Sequence, residues 1–222
     1  MRRFETIKAT SQRGGVDTAT MYDSAADDRF SAYPHLGVMQ TQAAVYRVAG
    51  FPVIDAYATN GGRDEAILFD SSADDQFTGK PEYSEMRGAN YQNRAFDFEV
   101  TSAMAVAGGN DRSVQYGSIG TDTFASLPGI AIMETADSRR NVARGFEQVE
   151  AFGAEGDKAV IHEVRQADVF VASGRQASVR GGNRDDTVHA FSAVIAKAAA
   201  GETASGDIQL VEFLFTQLGE WL

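Results

Sequence analysis

Four aspartates recur at nearly fixed distance. Asp28, Asp75, Asp122 and Asp168 stand 47, 47 and 46 residues apart, each two residues before a phenylalanine: Phe30, Phe77, Phe124 and Phe170. If the copies stack in register, the carboxylates form a column, and closely spaced like charges demand a counter-ion or hydrogen bonds. Carboxylates are hard oxygen ligands, so the cation they would take is calcium. Asp185 and Asp186 in GGNRDDTVH extend the candidate ligand set. The competing reading is that each aspartate closes its own turn by accepting backbone amides. Asp27 and Asp74 giving way to Thr121 and Ala167 favours that reading.

Other chemistry finds little support in the residues. His35, His162 and His189 lie in unrelated contexts without ligand spacing, and the chain has no cysteine, so neither Cys-based zinc nor thiol chemistry is available. Nucleophile-elbow, phosphate-loop and dinucleotide fingerprints are absent; the glycine pairs precede short β segments rather than helices. The least repetitive stretch, ETADSRRNVARGFE at 134–147, offers Glu134, Asp137, Arg139, Arg140 and Arg144 as the acid and base set of a polysaccharide lyase or hydrolase. Tyr33, Tyr57, Tyr83 and Tyr91, near acidic residues, are candidates for an outward carbohydrate-facing surface. The expectation is nonetheless a non-catalytic chain with no cofactor beyond calcium.

The elements that hold these residues follow from the period. Phe occurs at 4, 51, 98, 146 and 191, and a glycine follows ten residues after each. Four full repeats and a partial fifth result. Behind each Phe runs an alternating strand whose inward residues are Ile7, Ile54, Thr101, Val149 and Val194, then Ala9, Ala56, Ala103, Ala151 and Ala196. Its other face carries Thr10, Tyr57, Met104, Phe152 and Lys197. A glycine turn follows (RGGVD, NGGRD, GGND, EGD), where Gly supplies positive φ. The next strand repeats Ala19, Ala66, Ser113 and Ala159, then Met21, Leu68, Gln115 and Ile161. Small inward residues at every recurrence predict a narrow interior, and Met39, Met86, Met133 and Val179 are expected to stack inward as well.

Such repeats predict an all-β chain. A β-solenoid coils each repeat into two rungs about 4.8 Å apart, with equivalent residues in continuous columns; a small β-propeller, one blade per repeat, is the alternative. The solenoid is preferred, over residues 1–200 with repeats starting near 4, 51, 98, 146 and 191. Residues 201–222 are expected to form an amphipathic capping helix, with Asp207 as N-cap and Ile208, Val211, Leu214, Phe215, Leu218 and Trp221 along one face. The N-terminus shows no comparable cap and Phe4 begins directly on a repeat strand, so the first rung is read as either an exposed edge or, preferred here, the place where further repeats precede.

The wording GGxDxA(x)3DSxxDDxF resembles a repeat of very long secreted and surface proteins of environmental bacteria. It is carried by Gly14, Gly15, Asp17, Ala19, Asp23, Ser24, Asp28 and Phe30, and by Gly61, Gly62, Asp64, Ala66, Asp70, Ser71, Asp75 and Phe77. The third repeat keeps Gly108, Gly109, Asp111, Ser118, Asp122 and Phe124; the fourth keeps Asp157, Ala159, Asp168 and Phe170. The resemblance implies an extracellular or cell-surface parent protein and a role as stalk, spacer or adhesive module. GGNRDDTVH and GSIGTDTFA are more distantly similar to the calcium-binding nonapeptide GGxGxDxUx, which implies ions held between turns of a β-roll.

Charge narrows the partners. With 31 acidic against 20 basic residues the net charge is −11, which argues against nucleic acid or an anionic membrane surface. No apolar run is long enough to span a bilayer, and MRRFETIKAT lacks the apolar core of a signal peptide. The expected function is a rigid spacer or adhesive element, with a polysaccharide or other surface ligand, or end-to-end self-association through the uncapped first rung.

Overall fold

A computed structural model describes residues 6–12, 14–182 and 184–222. Phe4, the expected start of the first repeat, lies outside the described residues, as do Arg13 of the first glycine turn and Asn183 of the nonapeptide-like segment. The described chain is all β-strand and turn, divided into two compact units, residues 1–111 and 112–222.

The first unit contains β1 (Thr6–Thr10), β2 (Thr18–Tyr22), β3 (Arg29–Tyr33), β4 (Leu36–Gln40), β5 (Val45–Ala49), β6 (Val53–Tyr57), β7 (Glu65–Phe69), β8 (Gln76–Gly79), β9 (Tyr83–Arg87), β10 (Gln92–Phe96) and β11 (Val100–Met104). One layer runs β1-β5-β4-β3-β7-β11 and the other β2-β6-β10-β9-β8. The second unit contains β12 (Arg112–Tyr116), β13 (Thr123–Leu127), β14 (Ile130–Glu134), β15 (Arg140–Arg144), β16 (Gln148–Phe152), β17 (Lys158–Val164), β18 (Val169–Gly174), β19 (Gln176–Gly181), β20 (Arg184–His189), β21 (Ala193–Ala198), β22 (Thr203–Ala204), β23 (Gly206–Val211), β24 (Leu214–Leu218) and β25 (Glu220–Trp221). Its layers run β15-β14-β13-β17-β21-β24 and β12-β16-β20-β19-β18-β23, with β22 paired to β25.

Strands of different repeats pair in parallel, β3 with β7 and β13 with β17 for example. This is the pairing of a coiled β-solenoid; the blades of a propeller do not share ladders. Most inward positions read from the period are buried: Ile54, Ala56, Leu68, Ala103, Ala151, Ile161, Ala196 and the four phenylalanines of the repeat, with Met39, Met86, Met133 and Val179; Ile7 and Ala9, expected inward as well, are exposed on β1. Small residues sit where large ones need room. Phe30 lies beside Ala66 on the neighbouring strand, and Phe124 beside Ala159.

The continuous columns expected of equivalent residues do not form. In the first repeat the chain runs from β1 in one layer to β2 in the other, returns for the antiparallel meander β3-β4-β5, then crosses again to β6. Three crossings per repeat is an odd number, so the following repeat starts in the opposite layer. Phe30 and Phe77 therefore face each other's sheets, as do Phe124 and Phe170. One repeat makes one and a half turns of coil rather than two, because the chain crosses between layers three times per repeat and four of its five strands, β1, β3, β4 and β5 in the first, share one layer.

The expected capping helix over 201–222 is also absent. The apolar residues at helical spacing belong instead to β23 and β24, the latter parallel to β21. The sequence interrupts a helix with Gly206 and with Gly219, whose φ is +90°, while β21 offers an unpaired edge. Trp221 meets Phe170 edge-on at 5.6 Å between centroids and covers the last rung in part. Leu210 and Leu214 remain 89% and 71% exposed.

Candidate functional site: stacked aspartate corners

Each motif phrase forms the corner between two layers. The corner at 23–28 joins β2 to β3, and the glycine corner at 58–64, joining β6 to β7, lies over it. Asp28 accepts the Ser24 amide and the Ser24 hydroxyl, the latter at 3.1 Å, closing its own turn. The Asp28 amide donates to Asp64 Oδ1 at 2.8 Å, across 36 residues. Asp27 Oδ1 takes the Arg63 amide at 2.8 Å, and Asp23 takes the Asn60 amide and side-chain amide, each at 2.8 Å. Gly62 is held at φ +108°, and a Cβ there would stand 2.5 Å from Ala26 O. The glycine pair is thus needed where two corners touch.

The pattern repeats at three further corners. Asp75 accepts the Ser71 amide and hydroxyl at 2.6 and 2.7 Å, and its own amide donates to Asp111 at 2.8 Å. Asp70 Oδ2 takes the Val106 and Ala107 amides, and Asp74 takes that of Asn110. Asp122 closes onto Ser118 and gives its amide to Asp157 at 2.8 Å. Asp168 takes the Arg165 amide at 2.8 Å, while the Gln166 amide reaches Glu202 at 3.0 Å.

Asp28 and Asp75 do not form a column, since their corners turn in opposite senses between the two layers; the same holds for Asp122 and Asp168. Asp28, Asp75 and Asp122 each join the glycine corner 35 or 36 residues later rather than a counterpart 46 or 47 residues away, whereas Asp168 bonds within its own turn, its amide donating to Arg165 O at 3.1 Å. Asp185 and Asp186 lie on β20 rather than in a turn. Asp186 is buried in a network with Arg184 Nε at 2.6 Å and the Ser126 hydroxyl, and Arg184 also donates to His162 O at 2.8 Å. Asp185 pairs with Arg180 at the surface at 2.9 Å.

One grouping was not foreseen. Asp23, Asp28 and Asp64, all buried, bring one carboxylate oxygen each within 4.8 Å of the others. Burial raises the Asp64 carboxyl to about 6; the Asp28 amide opposes this, and the charges of Glu99, Asp23 and Asp28 add to it. In the next repeat Asp70 Oδ1 is buried without a hydrogen-bond partner. Tyr91, expected to face outward, is 6% exposed. Burial, then the charge of Asp75 and a hydrogen bond to it, push its phenol up. The signal for these partners is the second spacing of 36, hidden beneath the 47-residue period.

The 134–147 stretch is the hairpin of β14 and β15. Glu134 pairs with Arg140 at 2.9 Å and Asp137 with Arg139 at 3.2 Å, and the Thr135 hydroxyl holds Asp137 below the usual carboxylate range. Tyr57 stacks between Tyr22 and Phe96, at 5.5 and 4.5 Å, and Tyr83 follows Phe96 at 5.6 Å. Tyr33 stacks on Phe69 at 4.3 Å. Stacking covers part of these rings, while Tyr22 and Tyr33 stay 61% and 40% exposed. Burial lowers both His162 and His189, and His189 stacks on Phe152 at 4.6 Å.

No family model, no curated protein and no solved structure matches the chain.

Proposed function

We propose that this chain is a non-catalytic structural module, a solenoid spacer in an extracellular or surface protein, whose motif acids serve as fasteners between coils. The observation that carries the reading is the use made of the acids. Asp28, Asp75 and Asp122 each close a turn, and their amides donate to Asp64, Asp111 and Asp157 of the corner above. In the 134–147 hairpin Glu134 pairs with Arg140 and Asp137 with Arg139. The compartment rests on the resemblance of the repeat alone. A panel of neutral and acidic polysaccharides incubated with the purified chain is expected to show no cleavage; turnover abolished by Glu134→Gln or Asp137→Asn would overturn the reading.

A calcium-dependent module is the second reading, favoured by the Asp23, Asp28 and Asp64 group. Three carboxylates so close suit a hard divalent cation. Thermal unfolding with calcium and with chelator separates the two readings, since a bound ion raises the midpoint with concentration. An unchanged midpoint removes the second reading.

A further inference from the structure

The glycine corners begin Arg13-Gly14, Asn60-Gly61, Ala107-Gly108 and Glu155-Gly156, and Asn60-Gly61 is the only Asn-Gly pair in the chain. Such a pair carries a chemistry of its own. The backbone nitrogen of the residue after an asparagine attacks the side-chain amide and closes a five-membered ring; a side chain on that residue hinders the approach, and glycine has none.

The structure leaves the reacting nitrogen open and ties the amide down. Asn60 and Gly61 are both exposed, and nothing lies within 4 Å of where a Cβ of Gly61 would stand. Among the described residues the Gly61 amide donates no hydrogen bond. Asn60 Nδ2 donates to Asp23 Oδ1 at 2.8 Å and to Asp23 O at 3.2 Å, while the Asn60 amide donates to Asp23 Oδ2 at 2.8 Å.

We propose that Asn60 is a site of self-modification. Gly61 N, its proton lost to solvent base, bonds to Asn60 Cγ, and the bond from Cγ to Nδ2 breaks and releases ammonia. Water then opens the cyclic imide at either carbonyl and leaves aspartate or isoaspartate at 60. One water is consumed for each ammonia released, and nothing is oxidised or reduced.

The product does not fit the corner. A carboxylate at 60 has no hydrogen for Asp23 Oδ1 or Asp23 O, and it sets a like charge beside an aspartate only 8% exposed. Isoaspartate also lengthens the backbone beside Gly62, where even a Cβ would stand 2.5 Å from Ala26 O. The next corner shows what loss of the donor alone does. Ala107 stands there in the place of Asn60, Asp70 Oδ1 has no partner, and the corner still closes through the Val106 and Ala107 amides on Asp70 Oδ2. The added charge, rather than the missing hydrogen bond, is what parts the 58–64 corner from the 23–28 corner.

The inference rests on the reading of the motif acids as fasteners, and the tests of the two are separable. The folded chain is warmed at mildly alkaline pH, digested with trypsin and read by peptide mass spectrometry with enzymatic methylation of isoaspartate. The peptide ending at Arg63 is expected to gain the mass of an amide turned to an acid and to accept the methyl group. Asn60→Gln, whose ring would have six members, loses both signals. No conversion at 60 in the folded chain, under conditions where the urea-unfolded chain converts, overturns the inference. Asn60→Asp is expected to melt about 2–4 °C below Asn60→Ala at neutral pH, the gap closing as acid neutralises the carboxylates. Equal midpoints at neutral pH overturn the parting of the corners. If Asn60→Ala, Asn60→Asp and Asp23→Ala all melt with the parent chain, the fastener reading fails, whatever the mass spectra show.

Discussion

The Asp75 amide and the Asp111 carboxylate meet at 2.8 Å across 36 residues, joining two corners of the coil inside the protein. Asp111→Asn keeps an oxygen acceptor there, whereas Asp111→Ala leaves a buried amide without its partner. Urea unfolding is expected to show a loss of about 1–3 kcal/mol for the alanine variant and a much smaller one for the asparagine variant. Equal losses would remove the hydrogen bond as the reason for the residue.

Asp64 gives the chain a pH dependence of definite sign. Burial lifts its carboxyl in the folded state to about 6, above its ordinary value of 3.8, so the folded state holds the proton more tightly. Its contribution is greatest below the lower value and is lost as pH rises through the window to about 6. Asp64→Asn retains the acceptor for the Asp28 amide and removes the charge. Thermal midpoints between acid and neutral pH are expected to fall less steeply for the variant, which is the more stable protein at neutrality.

Gly61 and Gly62 separate backbone strain from contact. Both have positive φ, +92° and +108°, but a Cβ at 61 meets nothing within 4 Å while one at 62 runs into Ala26 O. Gly61→Ala is expected to cost about 1 kcal/mol in denaturant unfolding. Gly62→Ala costs several-fold more, since the upper corner must lift from the lower.

Arg184 neutralises a carboxylate inside the second unit. Arg184→Met leaves Asp186 buried and uncompensated, and burial already raises that carboxyl against the opposing charge of Arg184. The expected loss at neutral pH is about 3–5 kcal/mol. Arg184→Met with Asp186→Leu recovers most of it, measured by the same unfolding curves.

The interior was legible in the sequence because alternation and a fixed period mark the same positions. Ala56, Ala103, Ala151 and Ala196 are all fully buried. The partners of the corner acids were less so, since the 36-residue step is the sum of crossings and meander rather than a repeat of letters. Asp28 is legible as a turn residue; its pairing to Asp64 is not. Residues 207–221 misled for another reason. Two short alternating strands with a bend between them reproduce the spacing of one helix face, and only the open edge of β21 decides for strands. Tyr91 offered no sign that its ring would be taken inward to lie against Asp75.

The odd number of crossings has a lasting consequence for any surface such repeats carry. A side chain that points outward from one wall in one repeat points outward from the opposite wall in the next. Lengthening an array by single repeats therefore decorates both flanks alternately, and a one-sided row of identical groups recurs only at every other copy.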